Sequence, residues 1–256
     1  FADVYNAFGS KVTVIEALPQ ILPLEDKDCA AVVEKSYKKR GIEIMAGAKL
    51  EKADVGKNGV KLTVAAKDGS KTIEVERVLV AVGRAPIIDD IGLEKAGVKT
   101  EKGAIVVDDR LQTTANNIYA IGDVAKPPLL AHKASHEGIA VVEHIAGVGH
   151  GMVDYHNIPS VTYCHPEVAS VGLTEAAARE KGLDIEVGTF PWSANGRART
   201  AGETDGFVKI IRDKKYSEII GAHIVGPSAS ELIAEFVVGR HLESTVEEME
   251  KAMHPH

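Results

Sequence analysis

One stretch, residues 113–146, narrows the folds open to this chain more than any other. Ile118-Tyr119-Ala120-Ile121 is a short apolar run bounded by turn formers: Thr113 to Asn117 before it, Gly122-Asp123 after it. That pattern predicts a buried strand. Two prolines follow, then a predicted helix from near Leu130 to Gly147 with Leu130, Ala134, Val141, Val142 and Ile145 on one face. A strand that ends in Gly-Asp and feeds a helix suits the ligand crevice of an open α/β sheet. Glycine lets a ligand approach the backbone, the carboxylate points into the crevice, and the helix's first amides face the same space. Gly-Asp by itself is equally an ordinary turn.

The 256 residues can form one large or two ordinary domains with a sizeable core. A net charge of -7 argues against nucleic acid or an anionic membrane as partner. No apolar run approaches the ~20 residues of a spanning helix, and no signal peptide is visible. Cys29 and Cys164 are too far apart in sequence to suggest a disulfide framework or a metal spacing. The expectation is a soluble, cytoplasmic protein. Phe1 to Phe8 has helical apolar spacing without an N-cap or initiating Met, so the chain reads as a fragment that opens inside a helix. The ending at His254-Pro255-His256 is equally abrupt.

After Gly9-Ser10, Lys11 to Glu16 predicts a β-branched strand that ends in an acid. Helix, then strand, then carboxylate is the second half of a Rossmann βαβ unit, in which the acid pairs with the adenine ribose hydroxyls. Glu16 would repel a 2′-phosphate and no Arg or Lys stands nearby, which favours NAD; a solvated acid at a strand end is the plainer alternative. A helix over 26–40 follows, with Gly41 at its C-cap. Ile42 to Ile44 is then a strand, and 49–55, 60–66 and 72–82 form a strand series turned at Asn58-Gly59 and Asp68-Gly69. Val78 to Val82 is nearly all apolar, as in a strand buried on both faces. From Tyr155 the elements come in blocks, predicting an α+β domain with a helix capped by Thr174 and strands near 185–190, 206–212 and 219–225. Ser228-Ala229-Ser230-Glu231 and Ser244-Thr245-Val246-Glu247 read as capping boxes, and Leu232, Ile233, Phe236 and Val237 as a packing stripe.

Several of these runs resemble motifs of the pyridine nucleotide–disulfide oxidoreductases. Thr113 to Asp123 resembles the family's second flavin motif, T-x-x-x-x-[IV]-[YF]-A-x-G-D, and Val82-Gly83-Arg84-Ala85-Pro86 resembles V-G-R-x-P. The run from Ile158 to Glu175 resembles the opening of the interface domain, and the terminal His-Pro-His resembles H-x-H-P-T. The later residues are most similar to the dihydrolipoamide dehydrogenase branch. The resemblance implies FAD and NAD as cofactors. It assigns Asp123 to a ribityl hydroxyl, Leu129, Leu130, Ala131 and His132 to the isoalloxazine, Gly83 to the nicotinamide half and Leu50 to the adenine. It assigns the general base that exchanges a proton with the substrate thiol to His256, with His254 as the outside candidate; a near-neutral imidazole suits that work. The redox C-x-x-x-x-C and both glycine-rich Rossmann turns are absent from this sequence.

His132 and His136 stand at i, i+4 beside Glu137, a ligand-compatible spacing without His-Glu-x-x-His or an obvious third ligand, so no metal is assigned. The expected architecture is α/β, a Rossmann-like NAD-domain remainder (1–86) and a central flavin-contacting segment (87–154), followed by an α+β interface domain (155–256). The leading functional expectation is part of an enzyme that oxidises dihydrolipoamide through a cysteine pair and FAD to reduce NAD. Its expected partners are a second copy, through residues 155–256, and the dihydrolipoamide of a carrier domain in 2-oxo acid dehydrogenase complexes. The alternatives are a non-catalytic dimerisation fragment, favoured by the missing cysteine pair, or a related flavin disulfide reductase.

Overall fold

The computed structural model describes residues 1–67, 69–149 and 151–254. Asp68 of the second predicted turn, His150 of the glycine-rich break and the terminal Pro255-His256 lie outside the described residues. The chain divides into two compact units, one made of Phe1–Val78 with the residues from His156 onward, the other of Leu79–Tyr155.

Helix α1 (Ala2–Ala7) leads into strand β1 (Thr13–Glu16), which pairs in parallel with β2 (Glu43–Ala46). Between them α2 (Lys27–Lys39) makes the crossover that parallel pairing requires. It starts at Asp26, whose carboxylate accepts the Asp28 N–H at 3.1 Å, and Lys38 and Lys39 sit in its last turn. Cys29, Val33 and Tyr37 repeat every four residues, so one stripe is buried, against Ile21, Ile42, Val168 and Val225. Three antiparallel strands follow: β3 (Lys49–Gly56), β4 (Gly59–Ala66) and β5 (Gly69–Val75). Gly59 is dictated by close approach, because a Cβ there would lie 2.6 Å from the Val75 carbonyl oxygen.

The predicted strand at 78–82 is not formed. β5 stops at Val75, and Val80 and Val82 are 74% and 94% exposed. An apolar run reports a tendency to be buried, but a strand also needs a hydrogen-bonded neighbour, and the β1–β2 ladder does not extend to this segment.

In the central unit a hairpin of β6 (Thr100–Glu101) and β7 (Ala104–Ile105) packs Ile105 with Val98, Ala120 and Ala125. The expected strand at 118–121 is reduced to one bridge, Gln112↔Tyr119, with Ala120 buried but Ile118 and Ile121 partly exposed. The reason is local: a tight left-handed residue, Asn117, and a 3-10 turn over Gly122–Val124 leave only four residues between them. Helix α3 (Ala131–Ala146) ends on Gly147 in the left-handed conformation, as expected. Its buried face only partly coincides with the expected apolar stripe, of which Val141 is buried and Leu130 and Ala134 are partly buried. Lys133, Glu137, Ala140 and Val141 are buried, while Val142 and Ile145 are exposed.

The remaining residues build an antiparallel sheet in the order β10-β11-β12-β9-β8, from β8 (Ser160–Thr162), β9 (Glu167–Gly172), β10 (Ile185–Pro191), β11 (Phe207–Asp213) and β12 (Ile219–Gly226). Strand β12 is buried on both sides: Ala222 and Ile224 join Ile233 of α6 (Ala229–His241), and Val225 joins the α2 stripe. Thr174 caps α4 (Glu175–Glu180) by accepting the Ala177 N–H at 3.2 Å. A further short helix, α5 (Gly196–Ala201), is capped by Asn195.

The first predicted capping box is absent, because Ser228 is itself left-handed and makes no side-chain cap. Ser230 instead gives its N–H and hydroxyl to Glu167, at 3.1 and 2.9 Å. The second box exists one residue later, between Thr245 and Glu248, and opens α7 (Val246–Lys251). Of the α6 stripe, Ile233 is buried, Phe236 and Val237 are partly buried, and Leu232 is exposed. No helix among the described residues is long and apolar enough to cross a membrane.

Candidate functional site

Within the central unit the 3-10 turn puts Asp123 at a partly exposed position beside Gly122, whose φ of 73° suits glycine. An added Cβ at Gly122 would meet the Ala134 Cβ at 3.3 Å, so turn and helix α3 are in close contact. Arg84 reaches Asp123, Nη2 to Oδ2 3.2 Å. Both side chains face solvent, so this pair contributes at most about 1 kcal/mol and is exchangeable for a ligand hydroxyl. Helix α3 follows Leu130, which makes no side-chain cap, so the amino end of the helix is not closed by its own N-cap residue. Leu129 and Leu130 are partly buried, and Ala131 and His132 exposed, at this same helix start. Gly83 has a φ of 131°, in the region that favours glycine, and nothing lies within 4 Å of a Cβ built on it. The structure thus gathers a carboxylate, an uncapped helix N-terminus and an apolar edge, a donor and acceptor set that fits part of a flavin: acceptor for a ribityl hydroxyl, amides for an electron-rich ring edge.

Beneath this turn lies a pair whose burial the sequence did not disclose. Lys133 and Glu137 are both fully buried on α3, Nζ to Oε2 3.1 Å. The sequence signal is their i, i+4 spacing, which on a helix of this composition also describes an ordinary surface pair.

In the other unit Glu16 ends β1, and its Oε1 accepts the Leu18 N–H at 2.8 Å, which holds the carboxylate at the strand's carboxyl end. The Ala48 N–H donates to the Glu16 carbonyl at 2.9 Å, and so ties the start of β3 to the end of β1. Leu50 is exposed two residues further on, beside a register shift in β3. Glu16 and Leu50 are therefore brought to one neighbourhood, and an acid with an apolar neighbour fits a ribose and adenine.

His254 Nε2 meets Glu235 Oε1 of α6 at 2.5 Å, and this carboxylate pushes the imidazole pKa up. His256 lies outside the described residues. Among the described residues no group of three or more His, Cys, Asp or Glu side chains could hold a metal. An open cavity of about 380 Å³ is lined by Asn117, Tyr119, His144 and Ile145. It sits at the far end of α3, about 20 Å along the helix from residues 130–132, and offers no carboxylate.

The second buried cluster joins α2 to the antiparallel sheet. Lys209 of β11 is 1% exposed, with its ammonium 3.0 Å from Asp26, 2.7 Å from Asp28 and 2.8 Å from Glu175. These residues are widely separated in sequence, and no local pattern connects them. His223 of β12 is buried beside them, with Nε2 2.9 Å from the Leu173 carbonyl oxygen, and burial lowers its pKa.

The family model described as pyridine nucleotide-disulphide oxidoreductase matches residues 1–138, and that of the family's dimerisation domain matches residues 158–256. The dihydrolipoyl dehydrogenase of Rhizobium etli is 47% identical, covering 100% of this chain and 54% of its own length. That of Thermus scotoductus is 43% identical, covering 99% and 55%, and mitochondrial dihydrolipoyl dehydrogenase 1 of Arabidopsis thaliana is 42% identical, covering 99% and 50%. The chain spans about half the length of the curated relatives it matches. Among solved structures, LpdA from Mycobacterium tuberculosis superposes with a TM-score of 0.91 at 30% identity, covering 100% of this chain and 55% of LpdA. The HOCl-induced flavoprotein disulfide reductase RclA from Escherichia coli gives 0.88 at 30% identity, covering 100% and 58%. With matches running over residues 1–138 and 158–256, the chain belongs to the pyridine nucleotide–disulphide oxidoreductase family.

Proposed function

We propose that this sequence supplies the NAD-binding remainder (1–86), the flavin-contacting segment (87–154) and the dimerisation domain (155–256) of an NAD-dependent dihydrolipoyl dehydrogenase. The observation that carries the reading is the 47% identity to the Rhizobium etli enzyme across 100% of this chain. When bound, FAD supplies the relay between a dithiol and the nicotinamide. Asp123 accepts a ribityl hydroxyl, and the residues from Leu129 to His132 hold the ring edge at the amino end of α3. Glu16 accepts the adenine ribose hydroxyls, Leu50 packs against the adenine, and Gly83 lets the nicotinamide half approach the backbone. His256 takes the thiol proton from dihydrolipoamide presented by a carrier domain of a 2-oxo acid dehydrogenase complex. A homodimer through residues 155–256 and a cytoplasmic location complete the proposal, and the relatives' names include bacterial and mitochondrial enzymes.

The coenzyme half of this reading is tested at Glu16. In the full-length protein, Glu16→Arg replaces repulsion of a 2′-phosphate by attraction. The expected result is a shift of at least about 10-fold in the kcat/KM ratio toward NADPH over NADH, roughly 1.4 kcal/mol. An unchanged ratio would remove Glu16 from the ribose. The flavin half is tested by the absorption spectrum of the purified full-length protein, which should carry bound FAD that bleaches on adding dihydrolipoamide. A colourless protein that does not take up added FAD counts against it.

A further inference from the structure

We propose that Lys133 and Glu137 are a positioning pair, which sets the Gly122-Asp123 turn at the distance from the amino end of α3 that a flavin requires. The inference rests on the reading of Asp123 as a flavin contact and adds to it the device that places that carboxylate.

Both charges are wholly buried, and a buried ion pair is a poor way to stabilise a helix. Apolar residues of similar volume usually pack there as well or better. What apolar residues could not do is hold the backbone of the loop. Lys133 Nζ donates to the Gly122 carbonyl at 3.0 Å and to the Lys126 carbonyl at 2.7 Å. Glu137 Oε2 accepts the Gly122 N–H at 2.7 Å. The pair therefore grips Gly122 on both its amide and its carbonyl, and the far end of the loop at Lys126, with Asp123 between. Glu137 Oε1 is itself held by the Tyr155 hydroxyl, and the Lys126 ammonium stands 5.8 Å above the Tyr155 ring. Every polar atom of the pair that meets the loop is satisfied, so the geometry has one solution.

The two halves of the flavin contact are thereby built from one helix. Its amino end carries the backbone amides, and Lys133 of its first turn together with Glu137 of its second supplies the anchor for the carboxylate. A loop held by neutral contacts alone would let Asp123 move relative to those amides, at a cost in binding precision.

The test is a double-mutant cycle in the full-length protein, stripped of flavin and titrated with FAD, with urea unfolding measured alongside. Glu137→Gln and Asp123→Ala should each weaken FAD binding by about 10-fold or more, the loss of one charge-assisted hydrogen bond or its placement. If Glu137 acts through Asp123, the double variant binds within about 2-fold of Asp123→Ala alone. Tyr155→Phe, which removes only the outer hydrogen bond and leaves the ion pair, should weaken binding about 2- to 5-fold, again only when Asp123 is present. Should Glu137→Gln fail to fold, the Tyr155→Phe cycle decides the matter. Additive losses, tracking a fall in the unfolding midpoint, would overturn the proposal and make the pair merely structural. FAD binding by Glu137→Gln equal to wild type, with Asp123→Ala weakened, overturns the positioning role alone. Wild-type binding by Asp123→Ala overturns the reading of Asp123 and the pair's role with it.

Discussion

Replacing Lys209 by methionine is expected to destabilise the fold by about 3–5 kcal/mol, the range for removing one partner of a buried ion pair. The ammonium is nearly inaccessible and touches three carboxylates, of which Asp26 is 2% exposed and cannot recover its lost partner from water. Asp28 is about half exposed, so its share of the loss is screened. Burial alone raises the Asp26 pKa, but the Lys209 and Asp28 hydrogen bonds and the Lys209 charge outweigh it and hold the carboxyl below its usual range. Hydrogen bonds from Lys209 and Arg179 likewise lower Glu175. Folded pKa values below the unfolded ones, about 3.9 and 4.3, mean that this stabilisation is complete above that range and is lost as pH falls through the folded values. Urea unfolding of wild type and Lys209→Met from pH 7 downward checks both points. The variant should start lower and fall less steeply below about pH 4. Lys214→Met, which loses only an exposed contact with Asp184, should stay within about 0.5 kcal/mol of wild type. Equal losses for the two lysines would refute the assignment.

His256→Ala in the full-length enzyme is expected to lower dihydrolipoamide–NAD turnover about 10²- to 10⁴-fold, the usual contribution of a positioned acid–base group. Reduction of the flavin by NADH should be nearly unchanged, because the thiol proton is not involved in that half of the reaction. His254→Ala should have the smaller effect. The Glu235 carboxylate raises the pKa of His254 and favours its protonated form, and a protonated imidazole does not act as a base. If the site is shared across the dimer, remixing His256→Ala with a variant lacking the redox cysteines creates heterodimers with one intact site, and part of the activity returns. Verified heterodimers that stay inactive would confine His256 to its own chain. A His256→Ala enzyme with wild-type turnover would take the base role away from it.

Much of the architecture was legible because its signals are local. Asp26, the Lys38-Lys39 pair and Gly41 bracket α2 in sequence, and β11 and β12 are β-branched runs closed by turn formers. The errors arise where structure depends on something outside the window. Val78 to Val82 has a strand's side chains but no ladder partner, and Ser228 has a cap's side chain but a left-handed backbone. The helix α5 was missed because six residues, opening on glycine, carry too little periodicity to register. At the candidate site, Asp123 and the start of α3 were legible from the Gly-Asp and Pro-Pro punctuation. Lys133 was not, because a lysine on a helix ordinarily faces water, and its buried position is explained by the carbonyls of Gly122 and Lys126 together with the Glu137 carboxylate.

The most direct test of the account is steady-state turnover by the purified full-length protein with a panel of electron donors and acceptors. The account predicts NADH formation from dihydrolipoamide and NAD, strongly preferred over NADP, and little reduction of glutathione disulfide by NADPH. A protein that binds flavin yet leaves dihydrolipoamide untouched while reducing another disulfide would contradict it.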